Sequence, residues 1–419
     1  MFILYNYLLH LAYILIHIAS FFVKRLRINL QIRREPWPDV KKNSKLFWFH
    51  ASSVGEYEQV RVLAEAIKES NPEIQLFFTV FSDSAYFQKR NDTLPDYFMV
   101  LPFDFYRRMK KLINKIDPAA VFYARYDVWA NMARVLHEKK IPQYLVSGTL
   151  KLSSGRANIL ARLFFRKIYG LLSQIFCVDL DNQKRFDSFG LYSTITGDTR
   201  YDAVKKKISA IPPAILSLNE KIKSISGKRK IIIGGSTYLR SEKMLLESHH
   251  PDEQFLILVP HHINSEHINQ IEKEILDRKY NFQKYSLLAQ DGVYKINKNI
   301  SGLVIDATGI LPFLYATADI AYVGGGFEGS VHSVLEPLVC KTAIITGPHI
   351  ENSPEAVELQ RKKLLYVLQR SGLQDFQEIL SKIEVTSNAI HNEYAVFIRN
   401  KEGAVERIMD AIRFDLRLN

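Results

Sequence analysis

The stretch Leu46-Phe-Trp-Phe-His50-Ala-Ser-Ser-Val54-Gly55-Glu56-Tyr-Glu58 decides the fold of this chain. Residues 46–49 form a short apolar and aromatic run, which predicts a buried strand. After the turn from Ser52 to Gly55, apolar residues recur at helical spacing as far as Glu69. Glu56 is therefore expected in the first turn of a helix that follows the carboxyl end of a strand. In open α/β sheets, ligands bind at that end.

The position of Glu56 has two explanations. A carboxylate in the first turn of a helix complements the positive end of the helix dipole, and such residues are common. Alternatively, Glu56 is a general base at the ligand-binding edge of the sheet. The position alone favours the first explanation, so the choice depends on the motifs elsewhere in the chain.

The 419 residues are enough for two or three domains, and 47% hydrophobic with 24% charged residues is typical of a globular protein. Apolar runs alternate with helical patterns such as Val128–Glu138 and Ile159–Leu172, which is the rhythm of a doubly wound parallel sheet. A second series begins at residue 230. The predicted strands are Leu46–Phe49, Ile74–Val80, Phe98–Leu101, Ala119–Tyr123, Gln143–Val146 and Ile175–Val178, then Lys230–Gly234, Phe255–Val259, Leu303–Ile305, Ile320–Val323 and Ala343–Thr346.

The lysine-rich stretch 203–228, with Pro212-Pro213, predicts a connection between two domains. We expect a membrane-anchor helix with a basic flank at 1–34, one Rossmann-like domain at 35–205 and a second at 206–392. Residues 393–419 would form a C-terminal helix that crosses back to the first domain. Two Rossmann-like domains with a cleft between them are the GT-B layout, which several kinds of enzyme share.

Residues 1–23 carry no charged side chain and are long enough to span a bilayer. A helix with one polar stripe, however, more often lies in the membrane interface or packs that stripe on protein. We therefore expect a monotopic anchor, with the basic residues from Lys24 to Arg34 against anionic headgroups. A core helix of a soluble domain is the alternative. The stripe consists of Asn6, His10, Tyr13, His17, Ser20 and Lys24.

The net charge of +12 and the pI near 9.3 favour an anionic partner: nucleic acid, a phospholipid surface or a phosphorylated substrate. Cys177 and Cys340 are the only cysteines, and both lie in apolar runs. Two such cysteines exclude a disulfide framework and a cysteine-based metal site, and they indicate a reducing compartment.

Five short motifs, four of them with glycine, lie at or after the ends of predicted strands in the second half. Any one of them would mark only a tight turn, although backbone N–H groups at a strand-to-helix turn also bind phosphate. The motifs are Gly234-Gly-Ser236-Thr237, Leu258-Val-Pro260-His261-His262, Asp306-Ala-Thr308-Gly309-Ile310, Val323-Gly-Gly325-Gly326-Phe327 and Gly329-Ser-Val-His332-Ser333-Val334-Leu335-Glu336-Pro337.

Together with His50-Ala-Ser-Ser-Val-Gly-Glu56, these motifs resemble those of the 3-deoxy-D-manno-octulosonic acid (Kdo) transferases, over roughly residues 1–415. The resemblance implies an inverting GT-B enzyme that moves Kdo from CMP-Kdo to a lipid A precursor. Its place would be the cytoplasmic face of the inner membrane, with anionic lipid as a partner and no nucleic acid. It also implies no cofactor and no metal held by the protein.

The same resemblance implies the site residues. Glu56 would be the general base, and Arg125, Asp127 and Arg200 would stabilise charge or order the site. Glu336 would hold the nucleotide ribose. The donor nucleotide would contact Ser236, Pro260, His261, Thr308, Gly309, Ile310, Gly325, Gly326, His332, Ser333, Val334, Leu335 and Glu336.

Some positions depart from the family pattern. Arg125 and Asp127 stand where the family often has two Glu, and Arg200 replaces a Lys. Ser333 replaces an Asn. Ile310 replaces a Glu, so only backbone contacts are expected there.

Two other functions remain open: a GT-B transferase with a different nucleotide sugar, and an inactive GT-B scaffold at the membrane. Glu56 together with the donor loop argues against the scaffold. Asp179-Leu-Asp181 matches a metal-binding Asp-x-Asp pattern, but Asp181 is better explained as a helix N-cap. We also expect the anchor to be separable, so that deleting residues 1–23 spares turnover on detergent-dispersed acceptor.

Overall fold

The structure of the chain is a computed structural model that describes residues 1–41, 44–150, 159–290, 293–369 and 373–418. The chain divides into two compact units. Unit 1 comprises Met1–Ala203 and Lys401–Asn419, and unit 2 comprises Val204–Asn400. The end of the chain therefore belongs to the same unit as its beginning.

Unit 1 is built on a parallel sheet that has seven strands in the described residues, in the order β3-β2-β1-β4-β5-β6-β7. The order reverses between β1 and β4, and such a switch point is where open α/β sheets bind ligands. All six strands predicted in this half are present within two residues. The strands are β1 Leu46–Ala51, β2 Gln75–Val80, β3 Tyr97–Val100, β4 Ala120–Ala124, β5 Gln143–Gly148, β6 Gln174–Cys177 and β7 Thr194–Ile195.

Helices cover both faces of this sheet, and one buried apolar cluster lies on each face. The helix predicted at Val128–Glu138 begins two residues later, after the loop that leaves β4. The helices are α1 Phe2–Ser20, α2 Lys24–Ile32, α3 Val54–Ser70, α4 Asp83–Lys89, α5 Tyr106–Ile116, α6 Ala130–Glu138, α7 Ile159–Tyr169, α8 Leu180–Ser188 and α9 Thr199–Ser209.

Unit 2 repeats the architecture. Its described strands form a seven-stranded sheet of order β10-β13-β9-β8-β14-β15-β16, which reverses between β8 and β14. The strands are β8 Lys230–Thr237, β9 Gln254–Pro260, β10 Phe282–Lys284, β13 Gly302–Val304, β14 Ile320–Val323, β15 Ala343–Thr346 and β16 Tyr366–Val367, with a separate hairpin of β11 Ala289–Gln290 and β12 Val293–Tyr294. The helices are α10 Pro213–Ser226, α11 Leu239–Glu247, α12 Ser265–Asp277, α13 Leu311–Leu314, α14 Leu335–Val339, α15 Pro354–Arg361 and α16 Leu373–Arg399. The prediction of two doubly wound units is confirmed.

The last helix, α17 (Ala404–Leu416), packs on unit 1. Its buried Ile408 and Ile412 join the apolar cluster that α3 also lines. Asp202 accepts hydrogen bonds from the backbone N–H groups of Gly403 (2.6 Å) and Val405 (2.9 Å), and so caps the start of α17. The helical run expected from Tyr394 onward is therefore two helices, divided where Gly403 takes a left-handed φ of 83°.

Helix α1 turns its polar stripe onto unit 1 and its apolar side away from it. Tyr5, Asn6 and Tyr13 contact the loop before α5 and the start of α6. Among the described helices, α1 is the one long and apolar enough to cross a membrane. Its exposed large apolar side chains and those just after it are Ile3, Leu4, Tyr7, Leu8, Leu11, Ile14, Leu15, Ile18, Phe21, Phe22 and Val23.

One residue of the basic flank, Arg33, departs from the prediction that this flank lies against lipid headgroups. Arg33 is buried and donates to the backbone carbonyls of Phe81 (2.6 Å) and Leu101. Burial lowers the pKa of Arg33 to about 10. Arg25 pairs with Asp83, with Nε at 2.9 Å from Oδ2. Arg33 is thus committed to the fold and is not available to lipid.

Candidate active site

The strand-to-helix turn after β1 holds Glu56 in a capping box. The Ser53 hydroxyl accepts from the backbone N–H of Glu56 (3.4 Å). In return, Oε2 of Glu56 accepts from the backbone N–H groups of Ser52 (3.0 Å) and Ser53 (3.1 Å). These bonds satisfy donors that the first turn of α3 would otherwise leave without partners. Glu56 therefore does stabilise the start of α3, as the first of the two explanations requires.

Two features of Glu56 go beyond a helix cap. Its side chain is only 6% exposed, whereas capping carboxylates can remain solvated. Its second oxygen, Oε1, accepts no hydrogen bond from the described part of the chain. Burial, and then the charge of Asp127, raise the pKa of Glu56, while hydrogen bonding to Ser52 and the charges of Arg125 and His50 oppose the rise. A carboxylate with a raised pKa and one free oxygen is suited to accept a proton.

A hydrogen-bonded cluster surrounds Asp127 at the carboxyl end of β4, the strand beside β1. The Ser52 hydroxyl donates to Oδ2 of Asp127, and Nε2 of His50 lies 3.1 Å from the same oxygen. The indole Nε1 of Trp129 lies 2.9 Å from His50 Nε2 and also hydrogen-bonds Asp127. Burial acts to raise the pKa of Asp127, but His50, Ser52 and Trp129 hold that pKa below its usual value. Asp127 is therefore a fixed negative charge beside Glu56.

The buried imidazole of His50 connects this cluster to the core. Its Nδ1 lies 2.8 Å from the hydroxyl of Thr79, which accepts from the indole of Trp48, also at 2.8 Å. Both ring nitrogens have hydrogen-bonding neighbours, Thr79 at Nδ1 and both Asp127 and Trp129 at Nε2. His50 is thereby held in one orientation with respect to Asp127.

The two arginines predicted for the site lie in different settings. Arg125 directly follows β4, takes a left-handed φ of 58°, and its buried Nε has no partner among the described residues. Arg200 pairs with Asp198, with Nη2 at 2.7 Å from Oδ2. Gln59, one turn after Glu56 on α3, donates to the other oxygen of Asp198 (3.0 Å). The start of α9, which carries Arg200, is thus attached to the helix that carries Glu56.

In unit 2 the glycine turns after β8 and β14 meet at the switch point between these two strands. The backbone N–H of Gly324 donates to the carbonyl of Gly235 (2.9 Å). A Cβ on Gly324 would lie 2.0 Å from the carbonyl oxygen of Ser236, so only glycine fits there. Gly325 has a φ of 88°, which glycine adopts without strain. Gly326 packs on the backbone of Gly347 after β15. These close approaches place backbone rather than side chains at the carboxyl edge of the sheet.

Three aromatic side chains stack at this edge. The rings of His261 and His332 lie 4.6 Å apart, and the ring of Tyr238 lies 5.0 Å from that of His261. The Tyr238 hydroxyl and Nε2 of His332 are 3.2 Å apart. Burial, and then the neighbouring His261, lower the pKa of His332 to about 4, so His332 is neutral near pH 7. The stack provides flat, uncharged surface beside the glycine turns.

The remaining predicted donor residues fall into two groups. Ser333 is exposed and its hydroxyl donates to Glu336 in the first turn of α14, while Thr308 and Gly309 are exposed in a turn. Pro260, Val334 and Leu335 are buried, and Ile310 packs against an apolar cluster. Side-chain contacts to a ligand are therefore open to the first group only, and backbone contacts at Ile310 stay a prediction.

The Asp-x-Asp sequence is a helix start, although not in the predicted way. Asp179, and not Asp181, is the N-cap of α8, and it accepts from the backbone N–H of Asn182 at 2.7 Å. Asp181 lies in the first turn. Over the described ranges, no group of three or more His, Cys, Asp or Glu side chains is arranged to hold a metal ion.

Sequence reasoning missed several residues of these clusters. His50 and Ser52 belong to the same motif as Glu56, and Tyr238 directly follows the first glycine motif. Their closeness in sequence to predicted site residues could therefore have identified them. Thr79 gave no such signal, because its role depends on the neighbouring strand.

Comparison with known proteins identifies the family. Residues 25–203 match the family model described as 3-deoxy-D-manno-octulosonic-acid transferase (kdotransferase). The 3-deoxy-D-manno-octulosonic acid transferase of Chlamydia trachomatis serovar A is 25% identical over 387 residues, which cover 88% of this chain and 82% of that protein. The Haemophilus influenzae transferase of the same name is 26% identical over 397 residues, covering 89% and 87%. Residues 25–203 therefore carry a domain of the Kdo transferase family.

Solved structures show the fold of the chain. The UDP-GlcNAc 2-epimerase of Neisseria meningitidis, solved with UDP-GlcNAc bound, superposes with a TM-score of 0.60 at 13% identity. The match covers 88% of this chain and 99% of that one. The predicted GT-B fold class is thus confirmed. The relatives that match most of the chain are named as Kdo transferases, and the protein is a glycosyltransferase.

Proposed function

We propose that the protein transfers Kdo from CMP-Kdo to a lipid A precursor, with inversion at the anomeric carbon. The single observation that carries the proposal is the state of Glu56: a buried carboxylate at the switch point of unit 1, with a raised pKa and one oxygen free of hydrogen bonds from the described residues. Family membership supplies the sugar and, through it, the activated donor.

Glu56 acts as the general base. An acceptor hydroxyl attacks the anomeric carbon of Kdo while its proton passes to Oε1 of Glu56, and the bond from that carbon to the CMP phosphate oxygen breaks. Oε2 stays bound to the backbone of Ser52 and Ser53, so the carboxylate keeps its orientation through the step. Asp127 keeps the pKa of Glu56 raised, which makes the carboxylate a stronger base.

CMP occupies the carboxyl edge of the unit 2 sheet. The backbone N–H groups of the glycine turns and the start of α11 receive the phosphate. The stack of Tyr238, His261 and His332 offers an aromatic surface beside it. Glu336 accepts hydrogen bonds from the ribose hydroxyls once Ser333 turns aside. CMP is a good leaving group when backbone dipoles and cationic side chains receive its charge, so no protein-bound metal is needed.

The acceptor is an amphiphile, and helix α1 fits a site at a membrane surface. Its exposed apolar side chains face away from unit 1, as an interfacial helix requires, while its polar stripe is occupied by protein contacts. We place the enzyme at the cytoplasmic face of the inner membrane, as a monotopic protein. Anionic lipid is attracted by the net charge of +12.

The test is a transfer reaction with purified protein, CMP-Kdo and a tetraacylated lipid A precursor dispersed in detergent, followed by mass spectrometry. The expected product is heavier than the acceptor by one or more Kdo residues. Glu56→Gln protein is the matched control and should form little product. If the acceptor is unchanged with CMP-Kdo but gains mass with another nucleotide sugar, the proposed donor is wrong. No transfer from any nucleotide sugar, by protein that binds CMP, would indicate an inactive scaffold.

A further inference from the structure

We propose that the N-terminal helix pair, α1 and α2, positions the active-site loop 125–129, with Tyr5, Asn6 and Arg33 as its positioning residues. The inference rests on the proposed function, because loop 125–129 carries Asp127 beside Glu56. It concerns a role for residues 1–33 inside unit 1 that is separate from membrane attachment.

The connection begins at the start of α6, which directly follows loop 125–129. The N-cap of this helix is Trp129, whose indole offers no acceptor to the free N–H groups of the first turn. Asp104 from the neighbouring loop replaces the missing cap. Its carboxylate accepts from the backbone N–H groups of Asn131 and Met132, both at 2.8 Å. The end of loop 125–129 is thus fixed by a residue that lies 27 positions before Asn131 in the chain.

Helix α1 completes this cap. The hydroxyl of Tyr5 donates to Oδ2 of Asp104 at 2.8 Å, and Oδ1 of Asn6 accepts from Nδ2 of Asn131 at 2.7 Å. Asp104 and Asn131 are both fully buried, so water cannot readily replace these partners. A buried carboxylate that loses a hydrogen-bond donor is less stable in its position. The loss should therefore weaken the hydrogen bonds that Asp104 accepts from the start of α6.

Aromatic contacts hold the loop that carries Asp104 against α1. The ring of Tyr13 meets the rings of Phe103 and Phe105 edge-on, each at 5.2 Å between centroids. The imidazole of His10 lies 4.6 Å from Phe105. The residues on either side of Asp104 therefore pack on the same helix that supplies its hydrogen-bond donor.

Helix α2 supports loop 125–129 by a second route. The guanidinium of Arg33 lies 4.3 Å from the centre of the Phe81 ring and donates to the Phe81 carbonyl. Phe81 in turn stacks on the indole of Trp129, with centroids 4.5 Å apart and planes at 29°. Trp129 hydrogen-bonds His50 and Asp127. Both ends of the helix pair therefore reach the residues that fix Asp127 beside Glu56.

These contacts change the expectation that residues 1–23 can be removed without loss of turnover on detergent-dispersed acceptor. Deletion would expose Phe103 and Phe105 and remove the donor to Asp104. Since a small displacement of a supporting residue can cost about 100-fold in rate, turnover should fall even where no membrane is present.

The test is Tyr5→Phe, which removes one hydroxyl and keeps the ring. Tyr192→Phe is the matched control, because Tyr192 belongs to unit 1, is 82% exposed and lies outside these contacts. The proteins are labelled with 5-fluorotryptophan, and the Trp129 resonance is assigned by Trp129→Phe among the three tryptophans. Turnover is measured on detergent-dispersed acceptor, with kcat and the KM for donor determined separately.

We expect Tyr5→Phe to shift the fluorine resonance of Trp129 and to lower kcat by roughly 10- to 100-fold, with the KM for donor unchanged. Tyr192→Phe should change neither. An unshifted Trp129 resonance would overturn the proposal, whether or not turnover falls, because the effect would not pass through loop 125–129. If Tyr5→Phe does not fold, Asn6→Ala is the substitute, with the same outcomes. A failure of Kdo transfer by the wild type would contradict the proposed function, while the resonance shift would still decide this inference.

Discussion

Nε2 of His50 lies 3.1 Å from Oδ2 of Asp127, and this contact joins the ends of two neighbouring strands. His50 is the fifth residue of β1, and Asp127 follows β4. The sheet order reverses between these strands, so the contact lies at the switch point, a few residues from Glu56. The charge of Asp127 is thereby fixed where it raises the pKa of Glu56.

The first prediction concerns Glu56→Gln. Glutamine can still accept from the backbone N–H groups in a capping box, so the melting temperature should change little. It cannot take a proton from the acceptor, and turnover should fall by about 100-fold or more. Glu73→Gln, at an exposed position of the same unit, is the control and should keep wild-type turnover. Near-normal turnover of the Glu56→Gln protein would remove Glu56 from the mechanism.

The second prediction concerns the pH dependence of Asp127→Asn. Asp127 raises the pKa of Glu56, so neutralising it should lower that pKa. A general base works only when deprotonated, and turnover therefore falls as the pH drops through the pKa of Glu56. The acid limb of the kcat/KM profile should accordingly move to lower pH in Asp127→Asn. The exposed Asp187→Asn should leave the limb in place. A limb that moves to higher pH in Asp127→Asn would contradict this assignment.

The third prediction concerns the donor half. Glu336→Ala should weaken CMP binding by roughly 10- to 100-fold, since hydrogen bonds to a charged group contribute about 1.5–3 kcal/mol. Titration calorimetry with CMP measures the effect, and the exposed Glu220→Ala on α10 serves as control. Acceptor binding should be unchanged. Tighter binding of UDP or GDP than of CMP by the wild type would show that the donor is a different nucleotide sugar.

The fourth prediction concerns metal. Protein treated with EDTA and returned to metal-free buffer should retain its turnover, because the phosphate charge is received by backbone N–H groups and cations. Turnover is compared before and after treatment, with and without added Mg²⁺. Loss of activity that Mg²⁺ restores would reopen the role of Asp179 and Asp181, even though Asp179 caps α8.

The fold was predictable because most of its strands and helices have recognisable local sequence patterns. Each long strand is a buried apolar run, and the glycine turns mark strand ends, so the βαβ rhythm was visible from Leu46 to Thr346. The two-residue strands β7 and β16 carry no such run, and only their sheet neighbours define them. The division of the terminal helical run at Gly403 likewise depends on packing against α3, which no local pattern shows.

Only those parts of the candidate site whose residues lie within a single sequence motif were predictable. Glu56 and the glycine turns follow from spacing, but the cluster around Asp127 needs β1 and β4 to be neighbours. The capping of α6 by Asp104 is non-local for the same reason. Arg33 shows a case in which a local pattern misleads. The run of basic residues predicts that Arg33 contacts lipid headgroups, whereas the fold buries it directly after α2.

The last prediction concerns how α1 meets the membrane. Its exposed apolar side ends in Phe21 and Phe22, which are 76% and 86% exposed. Replacing both with serine should weaken binding to anionic vesicles by roughly 10- to 100-fold per side chain, since burying an apolar side chain contributes about 1.5–3 kcal/mol. Turnover on vesicle-held acceptor should fall with binding, and turnover on detergent-dispersed acceptor should not. Leu276→Ser, exposed on α12 of unit 2, should affect neither.

The orientation of α1 can be tested separately. A spanning helix would have to leave the rest of unit 1, because Tyr5, Asn6 and Tyr13 of α1 contact other residues of that unit. Leaving would carry several polar side chains into hydrocarbon and strip Asp104 of a donor, and both are costly. An interfacial helix keeps these contacts while its exposed side enters the acyl region. A cysteine at position 3, where Ile3 is 87% exposed, in a chain with Cys177 and Cys340 replaced, should therefore react only with reagent on the cytoplasmic side. Labelling from the periplasmic side would show that α1 spans the membrane.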